Sequence, residues 1–443
     1  MSALNTDLYQ LTMAAGYWLA GKTKEIATFE LSVRRLPETR NFLLAAGLQQ
    51  AIEYLRDLHF EAEEIQYLRT LPQFKSTPRE FFEFLSRLRF TGSLFAVPEG
   101  TPIFAHEPIA MVRAPIVEAQ LVETYLLSTF AFQTAVASKA ARCVSAANGR
   151  AIVEFGSRRA HSPHAGVLSG RAAFIGGCSG TSNTESGMRF GIPVFGTAAH
   201  SWTMAFASEE ESFRTLQRLL GESTVFLIDT YDTVEAAELV ARIGPPMWGV
   251  RLDSGDLIAL SRDVRRILDD AGLHSAKIFA SNDLNEHRIA ALLQGGAAID
   301  AFGVGTELTT SADAPSLSAV YKLVELECSG VCQYTAKFSA EKPTLPGAKQ
   351  IYRYPTRDAV TLYGECNPDY KGEPLVRPVM IAGELVEELP SVFAIQARAR
   401  NLIAALPAPL HDLERQVAYP VEISPRLFEL AEGVRHHLQP VRS

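Results

Sequence analysis

The sequence predicts an α/β fold: a parallel-strand region in the middle of the chain, flanked by an α+β portion built from its two ends. Three observations predict it. Seven short apolar runs, from "AIVEFGSRR" through "DAFGVGTE", each finish in small or polar residues. Their ends recur about every 20 to 30 residues, the period of a strand, a turn and a helix. Between several of them lie amphipathic stretches: "SEEESFRTLQRLLG", opened by a Ser208/Glu211 capping box, and "TVEAAELVARIG" and "LNEHRIAALLQGG", each closed by glycine. The period fits a (β/α) barrel or a doubly wound sheet. It is architectural, without sequence self-similarity.

The elements follow in order. "TDLYQLTMAAGYWLAG" has a Thr/Asp start, an amphipathic run and a glycine stop, and predicts a helix. "EIATFELSVRRLP" reads as a strand ended by Pro37. "FLLAAGLQQAIEYLRDL" and "PREFFEFLSRL" carry apolar residues at three- and four-residue spacing and predict helices. The seven runs come next; they are "AIVEFGSRR", "AAFIGGCSGTSN", "IPVFGTAAHSW", "TVFLIDTYD", "MWGVRLDSGD", "AKIFASND" and "DAFGVGTE". Beyond them "KFSAEKPTLPGAKQIYRYP" predicts a long surface loop, "PVMIAGELVEELPS" a strand and turn, and "VFAIQARARNLIAAL" a helix. The expected division is 1–114, 115–330 and 331–443, with the last portion packing on the first.

Composition narrows the function. With 443 residues the chain is long enough for more than one core. Apolar residues at 47% and charged residues at 21% argue for a globular protein rather than a disordered one. A net charge of −8 gives no basic footprint for nucleic acid. It does not exclude anionic small ligands, which a few local arginines can bind. No segment approaches the roughly 20 apolar residues of a membrane helix, and the opening residues lack the pattern of a signal peptide. Five scattered cysteines (Cys143, Cys178, Cys328, Cys332, Cys366) favour reduced thiols in the cytoplasm over a disulfide frame. Cys328, Cys332 and Cys366 lack the spacing and the fourth ligand of a zinc site. "HSPH", with His161 and His164, reads as a loop, and His436 and His437 as an exposed tail.

In parallel α/β architectures the site lies at the carboxyl ends of the strands. That rule collects Arg158 and Arg159; Ser179, Thr181, Ser182 and Asn183; His200; Asp229 and Asp232; Arg251, Asp253 and Asp256; Ser281, Asn282 and Asp283; and Gly303, Gly305 and Thr306. Guanidinium forks, hydroxyls, an imidazole, carboxylates and glycine turns suit a substrate that carries phosphates. Glycines in "GCSGTS" and "FGVGT" allow backbone N–H groups near a phosphate. Arginine matches phosphate or carboxylate in bidentate fashion. Asp253 suits ribose hydroxyls or Mg²⁺. Each motif also has a plainer reading. "FGVGT" fits a tight turn, "LDSGD" an Asx turn, Phe155 a core position and His200 a hydrogen-bonded structural imidazole. Their shared rim favours the ligand-binding reading.

These motifs together resemble a known family. "TDLYQLTM", "FGSRRAHSP", "GTSN", "FGTAAHSW", "DTYDT", "RLDSGD", "SNDLNE", "FGVGTEL", "VYKLVE" and "EKPTLPGAKQIYR" run in consistent order from residue 6 to about 353. They are similar to those of the nicotinate phosphoribosyltransferases, among the type II phosphoribosyltransferases. The resemblance implies transfer of phosphoribosyl from its 1-pyrophosphate to nicotinate, coupled to ATP hydrolysis with Mg²⁺ arriving on the phosphates. It also implies an irregular α/β barrel and a homodimer with shared sites. His200 would be the histidine that ATP phosphorylates and Asp229 the partner that fixes its tautomer. Arg251 would hold phosphate, and Asp253, beside Ser254, a ribose hydroxyl. Phe155 and Tyr9, the latter from the other subunit, would sandwich the pyridine ring, and Arg158 would meet ring substituents or phosphate. Ser281, Asn282, Gly305 and Thr306 would line the ribose and 5′-phosphate end. Where the nicotinamide enzyme has aspartate, this chain has Ser182, which removes a repulsion against an acid. Nicotinamide- or quinolinate-type transfer and a non-catalytic nucleotide-binding regulator remain the alternatives.

Overall fold

A computed structural model describes residues 2–338, 344–365 and 370–438. The chain divides into two compact units. One comprises Met1–Thr134, Ser316–Ser391 and Asn401–Ser443, the other Ala135–Pro315 with Val392–Arg400. The expected boundaries at 114/115 and 330/331 thus fall at 134/135 and 315/316, the former inside the continuous helix Glu123–Ala146.

The first unit is built on a seven-stranded antiparallel sheet. Ile26–Val33 lies between Ala319–Cys328 and Pro108–Pro115, so one strand from the start of the chain pairs with another from far along it. Its side chains are buried on both faces apart from Ile26, and Phe29 stacks on Tyr321 at 4.8 Å. The helices Leu8–Leu19 and Arg79–Arg87 form as their spacing predicts. "FLLAAGLQQAIEYLRDL" instead splits into a short strand, Leu43–Leu44, and helix Leu48–Arg56, because Gly47 takes φ 109° and interrupts the run.

The expected surface loop around 337–355 is corrected. Residues 339–343 lie outside the described residues. Lys349–Arg353 is an inner strand of a four-stranded sheet, paired with Asp358–Leu362. Lys349 is buried because its ammonium donates to Glu30 at 2.7 Å and to two backbone carbonyls. "PVMIAGELVEELPS" forms the hairpin of Arg377–Ile381 and Glu384–Leu385. His436 and His437 are exposed, but on helix Pro425–Leu438 rather than a loose tail.

The second unit holds the parallel sheet. Its strands are β1 (Ala151–Glu154), β2 (Gly180–Thr181), β3 (Val225–Leu227), β4 (Gly249–Leu252), β5 (Lys277–Ala280) and β6 (Ala301–Val304). They lie in the order β2-β1-β6-β5-β4-β3, all parallel, and an isolated bridge adds Val194 beside Thr181. The expected parallel α/β arrangement is present. The sheet is open rather than a closed ring, with no ladder joining β3 to β2.

Two of the seven runs are not the strands they resemble. "AAFI" ends helix Pro163–Ile175, where the ten residues from Gly166 onward are all buried. A helix buried all round has the same apolar signature as a buried strand. "HSPH" is accordingly not a loop but the start of that helix, with Ser162 capping it by accepting from Ala165 N at 3.1 Å. "IPVFG" contributes only the Val194 bridge, and both Val194 and Phe195 are exposed.

One buried cluster in the first unit titrates. Glu107 is fully buried and accepts from the backbone N–H of Phe104 at 2.8 Å. Asp358 holds Arg353 at 2.5 Å, also within the core. Burial first, then the neighbouring Asp358, pushes the Glu107 carboxyl well above the usual range. The folded state therefore binds this proton more tightly than the unfolded chain does. Its stabilising contribution is complete below the ordinary glutamate range and is lost as pH rises above it. Glu107→Gln keeps a donor toward Asp358 without a titrating proton. Thermal unfolding between roughly pH 5 and pH 9 should show the variant gaining about 1 kcal/mol on the parent at the alkaline end; superimposable pH profiles would contradict this assignment.

Candidate active site

The carboxyl ends of the parallel strands surround a cavity of ≈ 590 Å³. Thirteen of the sequence-predicted residues line it. They are Phe155, Arg158 and Arg159 after β1; Ser182 after β2; His200; Arg251 and Asp253 on and after β4; Ser281, Asn282 and Asp283 after β5; and Gly303, Gly305 and Thr306 on and after β6. Ser179, Thr181, Asn183, Asp229, Asp232, Ser254, Asp256 and Tyr9 are not lining residues. Tyr9 is exposed on helix Leu8–Leu19 of the first unit.

Arg251 is the best-anchored cation of the cavity, with only 9% of its surface exposed. Its Nε donates to Ser281 Oγ at 2.9 Å, Nη1 to Thr197 Oγ1 at 2.8 Å and the Ala198 carbonyl at 3.4 Å, and Nη2 meets Asp253 Oδ1 at 2.9 Å. The guanidinium also lies 5.7 Å from the centre of the Phe155 ring. Ser281 Oγ in turn donates to Asp253 Oδ1. One side chain thereby ties together the ends of β4 and β5 and the segment before His200.

His200 is the first residue of the five-residue helix His200–Met204 and is partly exposed to the cavity. Its Nδ1 is 3.2 Å from Thr230 Oγ1, and its Nε2 is 3.8 Å from Asp253 Oδ2. The expected pairing with Asp229 is corrected: Asp229 turns the other way. Its Oδ2 accepts from the N–H of Asp253 at 3.0 Å and the hydroxyl of Ser254 at 2.6 Å. Thr230 rather than Asp229 meets the ring. Trp202 is structural, its indole donating to the Ser212 carbonyl at 3.3 Å.

Arg158 and Arg159 differ from Arg251. They sit on the short turn Ser157–Arg159, exposed, and no hydrogen bond or ion pair engages either among the described residues. The cavity thus has one pre-engaged guanidinium and two open ones.

Gly303 is required for space. A Cβ on Gly303 would stand 2.9 Å from both the Phe155 and Phe279 rings, so the glycine makes room for the aromatic floor. Gly305 precedes the four-residue helix Thr306–Thr309. Asn282 and Asp283 both take positive φ, 95° and 46°, which Asn and Asp tolerate better than other side chains with a Cβ.

Beneath these loops lies a buried ionic group that the sequence did not announce. Lys139 Nζ reaches Glu286 at 2.7 Å, Asp313 at 3.0 Å and Glu307 at 3.5 Å, and Arg142 donates to Glu286 at 2.7 Å. Burial by itself would lower the Lys139 ammonium, but the carboxylates outweigh it and raise it. For Glu286 burial works upward and the two cations prevail downward. Glu286 follows the 281–285 turn, and Glu307 follows Thr306, so Lys139 braces two loops of the cavity from below.

Sequence reasoning also missed Thr197 and Thr230, which hold Arg251 and His200. Both stand in stretches already singled out, "FGTAAH" and "DTYD", but a threonine at a strand end carries no signal of its own partner.

Family models match as the nicotinate phosphoribosyltransferase N-terminal domain over residues 4–131, the family core over 150–344 and the C-terminal domain over 341–431. A nicotinate phosphoribosyltransferase of Mycobacterium tuberculosis, pncB2, is 43% identical, covering 98% of this chain and 94% of the relative. The Bacillus subtilis nicotinate phosphoribosyltransferase is 40% identical, covering 85% and 79%. The crystal structure of human nicotinic acid phosphoribosyltransferase is similar at a TM-score of 0.85 and 28% identity, covering 97% of this chain and 99% of that one. A nicotinate-nucleotide pyrophosphorylase from Pyrococcus furiosus shares the fold at a TM-score of 0.74 and 23% identity.

Lysine cannot reproduce the fork of Arg251. Arg251→Lys should leave buried hydroxyl or carboxylate partners unpaired and cost about 2 kcal/mol of stability. Denaturant unfolding measures this, and an unchanged midpoint would show that the four contacts do not bind the loops together.

Proposed function

The chain belongs to the nicotinate phosphoribosyltransferase family, and from that premise we propose that its cavity joins nicotinate to phosphoribosyl pyrophosphate with ATP as co-substrate. The products are nicotinate mononucleotide and pyrophosphate, with ADP and phosphate. The observation that carries the reading is the meeting of His200, Asp253 and Arg251, with Ser182 and the side chains of Arg158 and Arg159, unengaged among the described residues, lining the same cavity.

In the transfer step the lone pair of the pyridine nitrogen forms the bond to C1 of the ribose. The C1–oxygen bond breaks, and pyrophosphate leaves with its electrons. Little covalent help is needed; alignment and charge carry the step. Phe155 offers a ring face for the pyridine, and Arg158 a guanidinium for its carboxylate or for phosphate. Arg251 steadies Asp253 toward a ribose hydroxyl, with Ser254 held against Asp229 at 2.6 Å. Ser281, Asn282, Gly305 and Thr306 border the ribose and 5′-phosphate end. Asp229 acts through the backbone of Asp253, not through the imidazole.

ATP coupling runs through His200. With its proton on Nδ1, donated to Thr230, the Nε2 lone pair is free to attack the γ-phosphorus as ADP departs. The phosphohistidine then places negative charge beside the pyrophosphate site, and water cleaves the P–N bond after the products form. Mg²⁺ fits the donor set: Asp253 Oδ2 accepts no hydrogen bond among the described residues and is a hard oxygen on the cavity wall. Bound there with the substrate phosphates, Mg²⁺ would supply neutralisation of their charge.

Three further readings accompany this one. The cyclic strand order, with Val194 next to β2, reads as an irregular barrel opened between Val194 and β3. The exposed Leu8, Tyr9, Met13 and Leu19 on the opening helix support a homodimer in which Tyr9 completes the partner's pyridine site. The free thiols of Cys143, Cys178, Cys328 and Cys332 support a reducing, cytoplasmic setting; Cys366 lies outside the described residues. No helix of the described residues is long and apolar enough to cross a membrane.

Incubation with γ-labelled ATP should leave an acid-labile phosphate on His200. His200→Ala should abolish that label and ATP stimulation yet retain slower, ATP-independent transfer; persistence of ATP stimulation would remove His200 from the mechanism. Assays with both pyridines should favour the acid over the amide. Ser182→Asp should move the ratio of kcat/KM values toward nicotinamide by about tenfold or more through like-charge repulsion of the acid. Activity of the parent on the amide alone would overturn the choice of substrate.

A further inference from the structure

At the carboxyl end of β1, Glu154 is fully buried. No lysine, arginine or histidine pairs with it among the described residues, and burial raises its carboxyl while two hydrogen bonds counter that rise. A buried carboxyl without a cation is tolerated only where donors satisfy it. Here the donors come from two different loops. The backbone N–H of Gly156 donates to Oε1, and the Thr181 hydroxyl donates to Oε2 at 2.6 Å.

The contacts continue into a closed ring. Thr181 Oγ1 accepts the N–H of Asn183 at 3.0 Å, and the Asn183 amide donates to Ser157 Oγ at 3.0 Å, next to Gly156. Ser182 N–H donates to the carbonyl of Glu154 itself at 2.9 Å. There is little slack around this ring. A Cβ on Gly156 would stand 2.4 Å from the Thr309 side chain and 2.8 Å from the Gly305 carbonyl. The loops so joined carry Phe155, Ser157 and Arg158 on one side and Ser182 on the other, all facing the cavity.

We propose that Glu154 is a positioning residue for the pyridine acid: by clamping Gly156 and Thr181 it sets the width of the slot between the Phe155–Arg158 loop and Ser182. The proposal rests on the functional reading above. Glu154 touches no substrate, because it is sealed behind the loops it joins. Its effect falls first on the pyridine end of the cavity, whereas Arg251, Asp253 and Ser281 at the ribose and phosphate end are held by contacts to one another. A carboxyl serving the fold alone would change stability without separating the two substrates.

Steady-state kinetics with nicotinate and phosphoribosyl pyrophosphate varied separately tests this on Glu154→Ala, Glu154→Gln and Thr181→Val. Glu154→Ala and Thr181→Val should raise KM for nicotinate about tenfold, with kcat and KM for the pyrophosphate within about threefold, as for a small misplacement of a recognition loop. Glu154→Gln, which still accepts from Gly156 and can donate to Thr181, should show a smaller rise. Thr181→Val combined with Glu154→Ala should be no worse than the more severe single change, because both cut the same ring. Equal rises in both KM values, an unchanged nicotinate KM in a folded variant, or failure of all three to fold would overturn the proposal. An inactive parent enzyme would instead refute the functional reading, a result distinguishable from these.

Discussion

Everything around the cavity depends on the buried guanidinium of Arg251. An arginine cannot shed its proton in a protein, so a site that seals it to 9% exposure must supply acceptors. Ser281, Thr197, Ala198 and Asp253 do so from separate stretches of chain. The need to satisfy one charge therefore fixes the relative positions of loops that the sequence keeps far apart. Asp253 is oriented by that charge, and His200 is placed against Asp253. Phe155 lies beside the same guanidinium, so the aromatic floor and the polar wall share one anchor.

The remaining cations are arranged on the opposite principle. Arg158 and Arg159 are open to solvent and unengaged among the described residues, available to an incoming anion. Lys139 is sealed under the loops and consumed by three carboxylates. One group of charges holds the frame and another meets the ligand. The formal net charge of −8 says nothing about either, because recognition depends on local placement. Asp229 and Glu154 have comparable roles on the acidic side: each is spent on backbone N–H and hydroxyl donors of the loops rather than on the cavity.

Much of this was legible in the sequence. Six of the seven apolar runs contain strands, and the parallel-sheet rule that strand ends carry the chemistry leads to twelve residues that line one cavity. The failures have physical causes. The run "AAFI" is helical and buried all round, and apolar content alone does not distinguish that from a strand. Lys349 lies in a strand although its charge and the surrounding prolines suggest a surface, because Glu30, more than three hundred residues away in sequence, pairs with it inside the core. The motif pairs Asp229 with His200, but Asp229 is taken up by the N–H of Asp253 and the hydroxyl of Ser254, and Thr230 meets the imidazole instead.

The sequence by itself determined where strands end, which chemical groups stand at those ends, and which family motifs they compose. These are local properties, carried by period, turn chemistry and residue type. Tertiary structure alone decided who touches whom: Thr197 and Ser281 on Arg251, Thr230 on His200, and Thr181 with Gly156 on Glu154. Such pairings span from two to fifty-four residues and depend on side-chain direction and on how neighbouring strands are aligned. A hydroxyl or a carboxylate in a one-dimensional string does not reveal which buried charge or donor it will be called on to satisfy.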